Sequence, residues 1–368
     1  TFSAKTFSIV PPTTPHVTII GAGIGGLVTG LLLTRRGLRV TIVDQAEKPG
    51  GKLRQLFVDG HGIDSGPTVM TMRWVFDELF DELGSSTDAH IDLRSADRIA
   101  RHAWSDDGFL DLYVDLQRSA DAIGEFAGAR EAQRFLAFSD EARRIYDTVE
   151  EPFIRGPKQG VFGLMRQAGP NGMADLWNIR PYSSVWRALG GHFRDPRLRQ
   201  LFGRYAGYCG ASPFRAPATL MLVAHVEQQG IWYVQGGMVR IVEAVAGLCE
   251  RQGVEFKLGR KVERIRTRGS RACGVLLDNG EAIDADAVVH NGDVAALADG
   301  LLGESGRRAV PRVSLAQRSM SAVTWSMYAR SDGFPLVRHN VFFSDDYAAE
   351  FREIFRSRRA PACPTVYV

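Results

Sequence analysis

The sharpest change of pattern lies near the start of the chain, where residues 17–20 form a short β-branched run bounded by glycine, the mark of a buried parallel strand. Apolar or small residues continue unbroken from 17 to 33, seventeen positions, close to the length of a membrane span. Five glycines inside that run, Gly21, Gly23, Gly25, Gly26 and Gly30, argue instead for a turn and tight packing. The pattern therefore predicts a strand, a glycine loop, and a helix over 27–36 that stops at Gly37. A second β-rich run, 38–43, ends in Asp44. Much later, 253–258 and 261–265 read as strands, the latter continuing into 274–277 ahead of a tight Asn279-Gly280 hairpin. Residues 285–289 are a further buried strand, ending in His290-Asn291-Gly292-Asp293. Residues 86–224 are rich in helix formers instead. These elements predict an α/β chain with a discontinuous first domain, 1–85 with 225–305, and a mixed α+β second domain, 86–224 with 306–368.

The glycine loop carries chemistry. Gly21, Gly23 and Gly26 stand in G-x-G-x-x-G register between a strand and a helix, which is the order a Rossmann-type dinucleotide site requires. Gly21 makes the turn, Gly23 lets the backbone approach a pyrophosphate, and Gly26 lets the helix lie close to the strand, with Gly25 in the same loop. The helix start then offers free N–H groups and partial positive charge to the phosphates. Asp44, eighteen positions after Gly26, stands where an acid binds a ribose hydroxyl and rejects a 2′-phosphate. NAD and FAD both use such a unit, so the loop alone leaves the choice open.

Further motifs bear on that choice. Pro49-Gly50-Gly51-Lys52 and His61-Gly62-Ile63-Asp64-Ser65-Gly66-Pro67-Thr68 resemble the G-G-R and D-x-G-P-T turns of FAD-binding amine oxidases and carotene desaturases. Lys52 replaces the usual arginine, keeping the charge and losing the bidentate fork. Residues 198–219 and the G-x-W-x-x-x-G-G-M stretch at Gly230, Trp232, Gly236, Gly237 and Met238 resemble the substrate-domain segments of bacterial carotenoid desaturases. Across 17–368 the chain resembles the phytoene desaturase-like family, most nearly its 1-hydroxycarotenoid 3,4-desaturase (methoxyneurosporene dehydrogenase) branch. Residues 66–71 leading into 76–80, the Arg204-Tyr205 context, and 338–344 carry that nearer likeness.

The resemblance implies FAD as cofactor. Gly51, Lys52, Gly66, Pro67 and Thr68 would lie along it, Val262 would offer its backbone to the adenine, and Asn291 and Asp293 would close the nucleotide crevice. It implies an apolar carotenoid substrate, dehydrogenated at a C–C bond beside the polyene. The cation left by hydride loss is delocalised, so its proton is acidic and no strong base is needed; no catalytic acid or base is assigned. Tyr205 and Trp232 are candidate walls of a substrate tunnel. The terminal electron acceptor stays open between oxygen and quinone. The nearest alternatives on the same fold are a phytoene desaturase, an amine oxidase, and an isoprenoid carrier of the Rab GDP-dissociation-inhibitor type. The family's final flavin-contacting segment is expected to be absent from this chain.

A carotenoid lives in the bilayer, so peripheral membrane contact is expected, with residues 143–165 and the Phe351, Ile354, Phe355 spacing beside arginines as candidate surfaces. Composition excludes other classes. With 368 residues and 45% hydrophobic content, two cores are affordable in size. The formal charge of +3 is arginine spread along the length, which argues against nucleic acid. Cys209, Cys249, Cys273 and Cys363 are too scattered to suggest a metal or disulfide framework, which fits a reducing cytoplasm. Residues 1–16 read as a proline-punctuated arm, not a leader. Between 86 and 224 no G-x-S-x-G, H-E-x-x-H or paired-carboxylate motif stands out.

Overall fold

In the computed structural model, which describes residues 14–105, 108–156, 182–315 and 318–368, the first β-branched run forms strand β1 (His16–Ile20). Helix α1 (Ile24–Arg35) follows, and then β2 (Arg39–Val43). Val17, Ile19, Val40 and Ile42 are buried on one face and Thr18, Thr41 and Val43 on the other, so this pair is covered on both faces, as a parallel sheet under helices requires. Helix α1 begins three residues earlier than the pattern predicts, which draws Gly25 and Gly26 into its first turn. Glycine's poor helix propensity hides that start from a reading by residue type.

Contacts divide the chain into two units, Thr1–Thr68 with Val234–Arg318, and Val69–Tyr233 with Ser319–Val368. The sequence placed these breaks near 85, 225 and 305. Residues 69–85 go with the second unit, where Met70 and Trp232 exchange two backbone hydrogen bonds of 2.9 Å each and Arg155 reaches Glu78 at 2.6 Å and lies over the Trp74 ring.

In the first unit, β3 (Gln55–Val58) and β4 (His61–Asp64) form an antiparallel hairpin. The chain returns through α2 (Val239–Arg251), which packs on α1, into β5 (Glu255–Lys257). Next come β6 (Val262–Arg268), β7 (Arg271–Leu277), β8 (Ala282–Asp284) and β9 (Ala287–His290), with α3 (Val294–Ala298) after them. The main sheet is parallel, in the order β9-β1-β2-β5, so β1 is flanked by a strand arriving 270 residues later and β2 by one arriving 214 residues later. Strands β6, β7 and β8 make a separate antiparallel sheet whose buried Val262, Val275 and Leu277 share a core with Val43. The Asn279-Gly280 hairpin forms as predicted, and Gly280 N–H donates to the Leu277 carbonyl at 3.1 Å. A second hairpin at Gly269-Ser270 splits what the sequence reading treated as one continuing stretch. Gly-Ser is itself a hairpin signal, passed over beside the stronger Asn-Gly.

The second unit builds its sheet from Arg98–Ala103, Phe109–Tyr113, Asn340–Phe342 and Val366–Tyr367. Helices Leu116–Ala127 and Ala129–Val149 meet in an antiparallel pair, the first capped by Asp115, whose side chain accepts from Arg118 N–H. Its core is aromatic: Phe202 stacks on Phe193 at 4.9 Å and on Phe135 at 5.7 Å. Phe351, expected to face a membrane, is buried against Tyr347 and Phe214 at 5.0 and 5.9 Å, while Ile354 and Phe355 are half-buried. Within the other membrane candidate, Ile145, Tyr146 and Val149 are likewise buried, while residues 157–165 lie outside the described residues, as do 1–13 of the expected arm. Among the described residues, no helix is long and apolar enough to cross a membrane.

Candidate dinucleotide site

Strand β1 ends at Ile20 and the chain turns at Gly21, held by Gly21 N–H donating to the Val43 carbonyl at 2.8 Å. Gly23 then caps α1 in an extended conformation, with no side-chain cap hydrogen bond among the described residues. Those amides need an acceptor, and an anion at a helix start supplies one. Gly26 is dictated by crowding, since a Cβ there would sit 2.1 Å from the Gly21 carbonyl and 2.9 Å from Asn291 Nδ2.

Asn291 is what the loop packs on. Its backbone N–H donates to Ile20 O at 2.8 Å, extending β9 one residue past its pairing with β1, and its side-chain amide donates to Gly21 O at 3.3 Å. The same side chain lies 2.8 Å from where a Cβ on Gly25 would be and 3.4 Å from one on Gly23. Asp44 closes the other side. One carboxylate oxygen accepts from Ala22 N–H at 2.7 Å and the other from Ala46 N–H at 2.8 Å. Each oxygen keeps a further lone pair for a hydroxyl. The next turn is docked in register, because Gly50 N–H donates to Ala22 O at 2.9 Å, and a Cβ on Gly51 would come 3.2 Å from Gly23 Cα. The turn at 66–68 rests in its turn on 52: a Cβ on Gly66 would lie 1.9 Å from the Lys52 carbonyl. Lys52, Gly66 and Pro67 are exposed and Thr68 is half-buried.

The structure thus gathers Gly21, Gly23, Gly25, Gly26, Asp44, Gly51 and Asn291 around one loop, with Lys52, Gly66, Pro67 and Thr68 as the adjoining step. Open helix amides, absent side chains and an acid at the strand end fit an ADP moiety. Two further candidates have local structural roles of their own. Asp293 caps α3, accepting from Ala295 N–H at 2.8 Å, and Val262 is buried beside Val43. Tyr205 and Trp232 belong to the second unit. Tyr205 is 2% exposed, its hydroxyl donating to Glu227 at 2.8 Å and its ring lying 6.0 Å from both Phe202 and Tyr208, so it is core here. Trp232 is half-buried beneath Gly230.

Two features escaped the sequence reading. Arg204 donates to the Tyr208 hydroxyl at 2.5 Å and reaches Glu227 at 3.4 Å, while Tyr208 donates to Glu227 at 2.8 Å. Burial opposes the Arg204 charge, but Tyr208 and Glu227 beside it outweigh that and raise its pKa. Only the Arg204 and Tyr208 spacing could have hinted at this; Glu227 is too distant in sequence. The second is Asp64, visible as part of a motif but not as an individual group.

Residues 24–324 match the profile of the family described as flavin containing amine oxidoreductase. Over 359 residues the chain is 54% identical to the hydroxyneurosporene desaturase of Rubrivivax gelatinosus, spanning 97% of this chain and 68% of that protein. It is 42% identical to the hydroxyneurosporene desaturase of Cereibacter sphaeroides, over 96% of this chain and 71% of that one. Identity to the phytoene desaturase of Fusarium fujikuroi is 32%, covering 96% and 62% respectively. Among solved structures, an oxidoreductase from Methanosarcina mazei aligns with a TM-score of 0.55 at 18% identity, over 80% of this chain and 62% of that one. A putrescine oxidase aligns with a TM-score of 0.50 at 18% identity, over 77% and 59%. At such identities these two speak to the fold.

Proposed function

This chain belongs to the flavin-containing amine oxidoreductases, and on that premise we propose that it is an FAD-dependent carotenoid desaturase acting on 1-hydroxy or methoxy acyclic carotenoids. The observation that carries the reading is the glycine loop packed on Asn291 under a helix start that no side chain caps among the described residues. The likeness to hydroxyneurosporene desaturases, higher than to the phytoene desaturase, supports the hydroxylated substrate and 3,4-desaturation.

The α1 amides would receive the pyrophosphate, Asp44 would take the ribose hydroxyls, and Lys52 would supply positive charge at the adjoining turn. Bound FAD supplies the hydride acceptor, at flavin N5, for a C–H beside the polyene. The protein contributes position and dryness. No residue is assigned as base, since loss of hydride leaves a conjugated cation whose proton departs readily. Because the substrate dissolves in lipid, we place the protein at the cytoplasmic membrane face, in peripheral contact. The intact protein is to be loaded with FAD and incubated in liposomes with a 1-hydroxycarotenoid or with phytoene, and the products separated by chromatography. A new 3,4 double bond in the hydroxylated carotenoid alone is expected. Conversion of phytoene alone moves the protein to the phytoene branch, and flavin reduction by amines alone refutes carotenoid chemistry.

A further inference from the structure

Asp64 ends β4 and joins two segments far apart in sequence: its Oδ2 accepts the backbone N–H of Met238 at 2.9 Å, across 174 residues. Its other oxygen, Oδ1, is buried and has no hydrogen-bond partner among the described residues. An ionised carboxylate oxygen out of water without a donor is costly, so a native site that keeps one commonly reserves it for a ligand. The space in front of it is also kept clear. Gly237 adopts φ +93°, and a Cβ there would lie 2.6 Å from Oδ1 and 3.0 Å from Gln55 Nε2. Gln55 in turn reaches toward the Gly236 carbonyl at 3.4 Å, which holds that turn in place.

The position of this oxygen follows from the stepwise packing of the loops. The glycine loop carries the 50–51 turn, Lys52 O carries Gly66, and Asp64 stands two residues before Gly66. A ligand whose diphosphate sits on the α1 amides and which continues past Gly51 therefore reaches the turn that Asp64 begins. ADP ends at the diphosphate, whereas FAD continues with a ribityl chain of hydroxyl donors and a ring N–H.

We infer that Asp64 is a positioning and cofactor-binding residue whose free Oδ1 accepts a hydrogen bond from the flavin half of FAD, while Oδ2 ties the 64–68 turn to the 236–238 turn. This rests on the FAD reading above. Asp64→Asn is the informative variant, because its remaining oxygen still accepts from Met238 while an N–H donor faces the ligand's donor. FAD and, separately, ADP are to be titrated calorimetrically into the whole chain freed of flavin. We expect Asp64→Asn to bind FAD about 10- to 100-fold more weakly, the usual effect of losing a charge-assisted hydrogen bond, with ADP affinity and the ligand-free melting midpoint unchanged. Asp64→Ala should also lower the ligand-free midpoint, since it releases Met238.

Equal FAD affinity in Asp64→Asn and the parent overturns the inference. So does a parallel loss for FAD and ADP, which would make Asp64 a purely structural tie. If the parent protein binds ADP but not FAD, the cofactor reading itself fails and the inference falls with it.

Discussion

At the scale of single residues, the site is specified as much by what is missing as by what is present. Gly26 is the sharpest case: any side chain meets the Gly21 carbonyl, and the loop must open to admit it. Gly26→Ala should destabilise the protein by about 1–3 kcal/mol through overpacking and abolish FAD binding, measured by denaturant titration and by flavin retained after gel filtration. Glu227 is the opposite case, a buried anion holding Arg204, Tyr205 and Tyr208. Glu227→Gln should cost about 3 kcal/mol of stability by leaving the Arg204 charge uncompensated, with FAD affinity intact because the cluster lies in the other unit. Unchanged melting would show that the cluster is not held by that pair. The glycines and Asp44 were readable because a tight turn or a ribose accepts few residue types. Asp64 and Glu227 were not, because their partners lie 174 and 23 residues away and acids are common in any stretch.

At the scale of elements, strand runs were read well and boundaries less so. The β-branched runs at 17–20 and 38–43 became β1 and β2 because burial on both faces leaves no other use for them. Helix α1 started early, since a helix opening on glycines is stabilised by its tertiary setting, not by propensity. The amphipathic spacing of Phe351, Ile354 and Phe355 was real, but the spacing does not say whether core or lipid receives the face, and Phe351 went to the core. Strand Asn340–Phe342 carries a pH dependence at its entrance. His339, 5% exposed and stacked between Tyr233 and Tyr367, has its pKa pushed down to about 4, chiefly by burial and then by the Arg338 charge. An unfolded histidine titrates near 6.5. Above that pH both states are neutral and the full stability is present. As pH falls from 6.5 toward 4 only the unfolded state takes up the proton, so stability should drop by up to ~1.4 kcal/mol per pH unit. Buried His102, also shifted downward, acts in the same direction. Melting scans between pH 7 and 5 should show a shallower slope for His339→Phe than for the parent; equal slopes would assign the acid sensitivity elsewhere.

At the scale of the whole molecule, the discontinuous first domain was visible because two strand-rich blocks flank a helix-rich one, and a parallel sheet needs crossovers that can be long. Where one unit yields to the next was harder to see, since residues 69–85 are tied to the second unit by contacts with partners far away in sequence, Met70 with Trp232 and both Trp74 and Glu78 with Arg155. Substrate class came through resemblance and not through any catalytic constellation, as expected for chemistry that the cofactor carries. A flavin nucleotide held by the first glycine loop should be reducible by a carotenoid. The most direct measurement is the absorption spectrum of the purified intact protein in liposomes, recorded anaerobically before and after a 1-hydroxycarotenoid is added. A yellow protein carrying about one FAD per chain, bleached by the carotenoid and unaffected by a polar amine, is predicted. A colourless protein that takes up no added FAD, or a bound flavin that the carotenoid leaves oxidised, would contradict it.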